Sequence, residues 1–247
     1  MKSEVPGPGS ALEVAARLAE VRGRIAAAAA RSGRLASDVT LVAVSKTVPA
    51  PVVAAAVAAG QRVFGESRVQ EAIGKAQACG RGISWHLIGH LQRNKSKAAA
   101  RLFDVVESLD SLELAADLDR RAGEQGRRLR VLVQVKIAEE PTKGGVAAHD
   151  APALIEAAAR LPNLELAGLM TIPPPPGPHG GSRPWFARLR GLRDRWDGAC
   201  CPRGTLRELS MGMSADYEEA IEEGATIVRV GSVIFGSRSS AKASLAD

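Results

Sequence analysis

Lys46 stands directly behind an apolar run, in LVAVSKTVPA (residues 41–50), and Arg229 stands inside another, in IVRVGSVIFG (227–236). A lysine at the exit of a buried strand loses solvation in its charged form, so its pKa falls and the amine becomes a nucleophile toward an aldehyde or ketone. Schiff-base chemistry is the natural use of such a group. An arginine among apolar neighbours is expensive to bury alone and should have a partner. Two loops add hydroxyls and glycines: SMGMS supplies Ser210, Gly212 and Ser214, and VGS supplies Gly231 and Ser232. Backbone N–H groups and hydroxyls in such turns build phosphate sites. Each feature also has an ordinary reading, since strand-end lysines are often only solvated, buried arginines often sit in structural ion pairs, and any turn can hold Gly and Ser. Together they describe a ligand with a carbonyl for the lysine and a phosphate for the last two loops.

The elements that would position these residues alternate. Apolar runs rich in Val, Ile and Leu predict strands at 41–46, 62–66, 85–89, 103–109, 129–137, 164–172, 206–212 and 227–236. Helical periodicity fills 52–59, 69–78, 111–125, 151–161, 185–196 and 216–223, and a further helix over 11–31 precedes the first strand. Strands that alternate with helices are parallel, because each crossover must return the chain to the same edge. Eight such units in 247 residues predict a single (β/α)8 TIM barrel with an extra N-terminal helix. A doubly wound open sheet is the runner-up. The barrel domain is placed at 11–240, between an N-terminal tail at 1–10 and a C-terminal tail at 241–247. The Pro/Gly-rich stretch PPPPGPHGGSRP (173–184) reads as a flap after the sixth strand. Barrel chemistry sits at the C-terminal ends of the strands, where Lys46 and both loops fall.

Composition narrows the function classes. The net charge of +6 raises the question of nucleic acid, but aromatic residues are only 3% and the arginines are interleaved with acids. The densest basic run, RRAGEQGRRLR (120–130), reads as a solvated helix end and loop. No apolar run approaches the roughly 20 residues of a membrane span, and the first ten residues lack a signal-peptide apolar region. Cys79, Cys200 and Cys201 form neither an even disulfide framework nor a CxxC pair. A cytoplasmic setting is expected. His86 and His90 lie four apart on a predicted strand and its exit, where that spacing gives no shared metal geometry, so His86 reads as a packed, hydrogen-bonded barrel residue and no metal site is assigned. HExxH, P-loop and strand-borne GxGxxG motifs are all missing.

Several blocks carry a resemblance. VAVSKTVP, VFGESRVQEA, WHLIGHLQRNK, VESLDS, GLMTIP and LSMGMSADYEEAIEEGATIVRVGSVIFG, in that order between about Leu41 and Gly236, closely resemble the pyridoxal phosphate homeostasis protein family, relatives of the barrel domain of alanine racemase. The resemblance implies that Lys46 forms the internal aldimine with pyridoxal 5′-phosphate (PLP) and that Arg229 faces the pyridine nitrogen. It implies further that Ser210, Ser214, Gly231 and Ser232 surround the phosphate, with Met213 beside the cofactor. Two departures stand out. The family usually reads Asn-Tyr where this chain has Ser67 and Arg68, which leaves Ser67 to supply one hydrogen bond. The later segment EEPTKGG keeps Lys143 in altered surroundings, with Lys136 at a position that is often asparagine; Lys143 reads as a surface lysine, although the resemblance hints at a second amine.

An arginine at the pyridine nitrogen disfavours its protonation and makes the ring a weaker electron sink than an aspartate would. That argues against transamination and decarboxylation. Racemisation of the alanine racemase type survives as the alternative, but it needs a second acid/base, which in those enzymes is a tyrosine from a separate β domain. The single tyrosine, Tyr217, follows the SMGMS loop and reads as a packing or surface residue of the next helix. The favoured expectation is a non-catalytic PLP carrier that keeps the free aldehyde low and passes it to apo PLP-dependent enzymes. It would act as a monomer, with no nucleic acid or membrane partner. A lysine-dependent aldolase for sugar phosphates is the reading from another class, and it leaves Arg229 unexplained.

Overall fold

A computed structural model of the chain describes residues 10–138, 144–174 and 181–236. Its strands are β1 (Thr40–Val44), β2 (Val63–Glu66), β3 (Ser84–Leu87), β4 (Val105–Leu109), β5 (Leu129–Lys136), β6 (Val146–Ala147), β7 (Leu164–Met170), β8 (Glu208–Met213) and β9 (Ile227–Val230). Every pairing between them is parallel. The order β4-β3-β2-β1-β9-β8-β7-β5 is closed by pairing of β4 with β5, which makes the sheet a barrel of eight strands and excludes the open doubly wound alternative. The two-residue β6 only extends the end of β5. The helices are α1 (Ala11–Arg31), α2 (Ala50–Ala58), α3 (Val69–Cys79), α4 (Ser96–Leu102), α5 (Leu112–Gly123), α6 (Ala151–Arg160), α7 (Arg183–Trp196), α8 (Tyr217–Glu222) and α9 (Ser232–Phe235).

Strand alternation divides the apolar residues into two sets. Val42, Val105, Leu132, Met170 and Ile227 form a small cluster of their own inside the barrel. A much larger set, including Ala43, Phe64, Leu87, Val106, Val133, Leu169, Leu209 and Val228, faces the helical layer. The helix α1 begins at Ser10, whose hydroxyl accepts from the Glu13 N–H (3.3 Å). It buries Val14, Leu18, Val21, Ile25 and Ala28, a three-to-four-residue stripe, against α2, α8 and α9. Among the described residues no helix is long and apolar enough to cross a membrane.

Three expectations are corrected. The strand expected over 227–236 stops at Val230, where its register with β1 runs out at Ala43; Gly231 then turns the chain into α9. The strand expected over 41–46 stops at Val44, so Lys46 lies in a turn beyond it, closed by the Val48 N–H donating to the Ser45 carbonyl (2.9 Å). A short 3-10 turn and α4, carried by RNKSKAAARL (93–102), fill the crossover between β3 and β4, for which the periodicity gave no helix. The segments 1–9 and 241–247 of the expected tails, residues 175–180 of the expected flap and Lys143 lie outside the described residues.

The basic run is spent on intramolecular contacts. Arg120 and Arg121 pair with Asp117 and Glu124 on their own helix surface. Arg127 donates to the Phe103 carbonyl, Arg128 to the Leu164 carbonyl, and Arg130 pairs with Glu208 at 2.9 Å.

Candidate functional site

At the C-terminal end of the barrel, Lys46 is exposed and faces the mouth, because Val42 and Val44 precede it on the inward-facing parity of β1. The apolar surroundings expected to strip its solvation are therefore not supplied by neighbouring side chains. Its backbone is tightly fixed. Ser45 is fully buried, its N–H donating to the Gly65 carbonyl (3.0 Å) and its hydroxyl to Glu66 Oε1 (2.6 Å). On the other side of Lys46, Thr47 has φ of 64°.

Arg229 is 3% exposed inside the barrel, and its expected partner is Glu107 of β4. The two are joined through Ser210, whose hydroxyl donates to Glu107 Oε2 (2.5 Å) and accepts from Arg229 Nη1 (2.5 Å). Arg229 Nη2 donates to the Thr171 carbonyl (2.8 Å) and Nη1 lies 3.9 Å from Glu107. On its other oxygen Glu107 meets His86 Nδ1 at 2.6 Å, which makes His86 the hydrogen-bonded barrel residue expected. Burial alone would push the Glu107 carboxyl up, but His86, Arg229 and Ser210 outweigh it and hold the group below its ordinary range. Burial draws Arg229 down, opposed by Glu107 and Asp216.

Ser210 thus does not stand where a phosphate contact was expected. Position 210 faces inward on β8, below the mouth, and its hydroxyl is committed to the Glu107–Arg229 pair. The other loop residues do come together. Ser214 lies just beyond β8, and its hydroxyl accepts from the Gly231 N–H (3.2 Å). Ser232 opens α9, in which the N–H groups of Ile234 and Phe235 donate to the Gly231 carbonyl (3.0 and 2.9 Å) while those of Ser232 and Val233 have no acceptor within the helix. A Cβ on Gly231 would lie 3.0 Å from the Val44 carbonyl oxygen, so a glycine lets this turn sit against the strand that leads to Lys46. Met213 is 38% exposed at the end of β8, and its N–H donates to Asp216 Oδ1 (2.7 Å). Ser67 follows β2, half-buried, with its backbone against Gly89.

The turn between β8 and α8 depends on Gly212, at φ of +89°, where a Cβ would come within 2.5 Å of the Ala220 Cβ. Gly212→Ala should cost roughly 2–5 kcal/mol, from a disfavoured backbone region plus overpacking. Equilibrium urea denaturation reads this directly; a loss under about 1 kcal/mol would mean that the end of β8 relaxes freely.

A cavity of about 430 Å3 lies at the opposite end of the barrel. Thr40, Ser84, Arg130 and Glu208 line it from the N-terminal ends of their strands, and the Arg130–Glu208 pair occupies its wall. It is not the site of Lys46. Sequence reasoning missed Glu107, although a glutamate inside the apolar run FDVVESL was the signal, and it missed Glu66, Glu71 and Lys75, which surround the Lys46 turn.

Comparison with known proteins bears on this geometry. Residues 17–239 match the family described as alanine racemase, N-terminal domain. The pyridoxal phosphate homeostasis protein of Escherichia coli K12 is 41% identical over 238 residues, covering 93% of this chain and 99% of its own. That of Pseudomonas aeruginosa is 44% identical over 226 residues, covering 91% and 96%. The solved structure of PipY from Synechococcus elongatus with PLP bound is 40% identical, superposes with a TM-score of 0.80, and covers 90% of this chain and 100% of PipY. The barrel, the order of its blocks and these near-complete alignments establish that the chain belongs to the pyridoxal phosphate homeostasis protein family, within the alanine racemase N-terminal domain family.

Proposed function

We propose that this protein binds PLP through Lys46, keeps the concentration of the free aldehyde low, and releases it to apo PLP-dependent enzymes. The observation that carries the reading is the convergence at one barrel end of an exposed amine at Lys46 and a tight serine–glycine turn at Ser214, Gly231 and Ser232, with a fixed guanidinium at Arg229 in the barrel beneath. The residues fit the cofactor in kind. The close approach of Gly231 to β1 leaves room for backbone where a Cβ would crowd it, and N–H groups with hydroxyls suit a phosphate. Arg229 offers only donors, held by Ser210 and the Thr171 carbonyl, so it favours an unprotonated ring nitrogen. Lys46 would hold PLP when it binds, the cofactor supplying an aldehyde that could condense with the lysine amine, releasing one water, to give a linkage that an incoming amine could exchange. Lys46 is open to such an amine. A racemase would need a second acid/base, and Tyr217 is a poor candidate: it is 1% exposed, packed against α1 beneath Arg24.

The proposal extends to a monomer in a cytoplasmic setting, the latter supported by three cysteines whose number and spacing form neither an even disulfide framework nor a CxxC pair. Delivery is tested by loading the protein with PLP, removing unbound cofactor on a desalting column, and adding an apo PLP-dependent enzyme. Recovery of that enzyme's activity, with matching loss of PLP from the carrier, is expected. PLP that stays bound, together with exchange of amino-acid α-hydrogens in deuterated water, would contradict the carrier and favour a racemase.

A further inference from the structure

Three charged residues lie behind the Lys46 turn, on the outer side of the strand ends, and the chemistry above does not use them. Glu66 closes β2 and is fully buried, Lys75 of α3 is 6% exposed, and Glu71 sits one helical turn before Lys75. Lys75 Nζ donates to the Ser45 carbonyl (2.5 Å), Glu66 Oε1 (2.7 Å) and Glu71 Oε1 (2.6 Å), which places all three of its protons. Glu66 Oε1 also accepts the Ser45 hydroxyl, and Glu71 Oε1 also accepts the Thr47 N–H (2.5 Å). Both neighbours of Lys46 are therefore tied to one cluster.

Thr47 is the one non-glycine residue with positive φ among the described residues. A β-branched residue in that region carries a steric penalty and stays there only when its surroundings hold it. The cluster is also poor at stabilising the fold: Glu66 Oε2 has no hydrogen-bond partner, and burial pushes the Glu66 carboxyl up against the pull of Lys75 and Ser45. Buried ion pairs of this kind add little beyond what apolar packing would give. Their placement around a strained turn calls for another role.

We propose that Glu71, braced by Lys75, is a positioning residue for Lys46: it clamps Thr47 in its left-handed conformation and so fixes the direction in which the Lys46 side chain leaves the backbone. The geometry requires such a clamp. Strand parity carries residue 46 inward, while Pro49 and α2 must lead the chain outward within three residues, and the reversal falls on Thr47. With the turn fixed, the Lys46 amine starts from one backbone orientation over the mouth. Without it, the residue samples orientations that miss the cofactor.

The inference rests on the reading that Lys46 takes the PLP aldehyde, and its test separates the two. Glu71→Ala is preferred to a change at Lys75, which would strand Glu66 as an unpaired buried charge and endanger folding. Glu71→Ala should slow the capture of PLP, followed by visible absorbance, by about tenfold, the loss expected for a hydrogen bond to a charged group. Adding Thr47→Gly should recover most of that loss, because glycine adopts positive φ without steric penalty. In the unliganded proteins, amide exchange at position 47 should be slow in the parent and fast in Glu71→Ala. Capture by Glu71→Ala at the parent rate, or a loss that Thr47→Gly leaves unrepaired, would overturn the clamp. Should the parent itself capture no PLP on Lys46, the cofactor reading fails, and the exchange measurement alone decides the clamp: equal exchange at position 47 in parent and variant overturns it.

Discussion

Lys46→Ala should lose the PLP-dependent absorbance change and every borohydride-reducible adduct at the barrel mouth, while folding like the parent. Lys46 is exposed in a turn beyond β1, and the clamp around it is made by the backbone of Ser45 and Thr47, not by the lysine side chain. A surface change of this kind falls within about 0.5 kcal/mol of neutral in stability. The phosphate contacts proposed for Ser214, Gly231 and Ser232 do not depend on Lys46, so the variant should still bind PLP weakly and reversibly. The combination of unchanged denaturation midpoint and lost covalent capture separates a functional lysine from a structural one. Retained capture in Lys46→Ala would move the reactive amine elsewhere.

Arg229→Met should produce the largest loss of stability. Removing one partner of a buried ion pair typically costs about 3–5 kcal/mol, because the remaining charge is left uncompensated. Here that charge is Glu107, fully buried, hydrogen-bonded to Ser210 and His86 among the described residues and lying 3.9 Å from Arg229, which reaches it through the Ser210 hydroxyl. The pH dependence has a definite sign. In the parent, Glu107 is held below its ordinary range, so its contribution is present above the unfolded carboxylate pKa and is lost as pH falls through the lower folded value. Without Arg229, less opposes burial and the carboxyl moves up. The deficit of the variant should therefore be greatest near neutrality and shrink on mild acidification, as Glu107 takes up a proton. Urea denaturation at the two pH values reads both effects. A deficit under about 1 kcal/mol, or one that grows on acidification, would show that Glu107 does not depend on Arg229.

The barrel was legible because its signal is repeated. Eight apolar runs separated by helical periodicity point to parallel strands whatever the error at any single boundary, and closure follows once β4 meets β5. Boundaries were less legible where backbone geometry, not side-chain type, ends the element. VGSVIFG is as apolar as any strand, yet Gly231 leaves the sheet and α9 follows. Lys46 and Arg229 stood out as charges beside apolar runs. Ser210 and Ser214 could not be told apart by type; the end of β8 at Met213 decides it, because Ser210 lies within the strand, where its hydroxyl joins Glu107 and Arg229, and Ser214 lies just past it, where its hydroxyl meets Gly231. Glu107, Glu66, Glu71 and Lys75 were hidden for a related reason. Glu107 has partners 103 residues away at Ser210 and farther still at Arg229, and Glu71 and Lys75, a local i,i+4 pair, take their role from contacts 24 and 30 residues away at Thr47 and Ser45, which no local pattern encodes.

Reduction of the PLP-loaded parent protein with borohydride, followed by peptide mapping, tests the central claim most directly. A single modified residue, Lys46, is the expected result. No adduct, or one spread over surface lysines with Lys46 unmodified, would contradict the assignment of this barrel mouth as the PLP site.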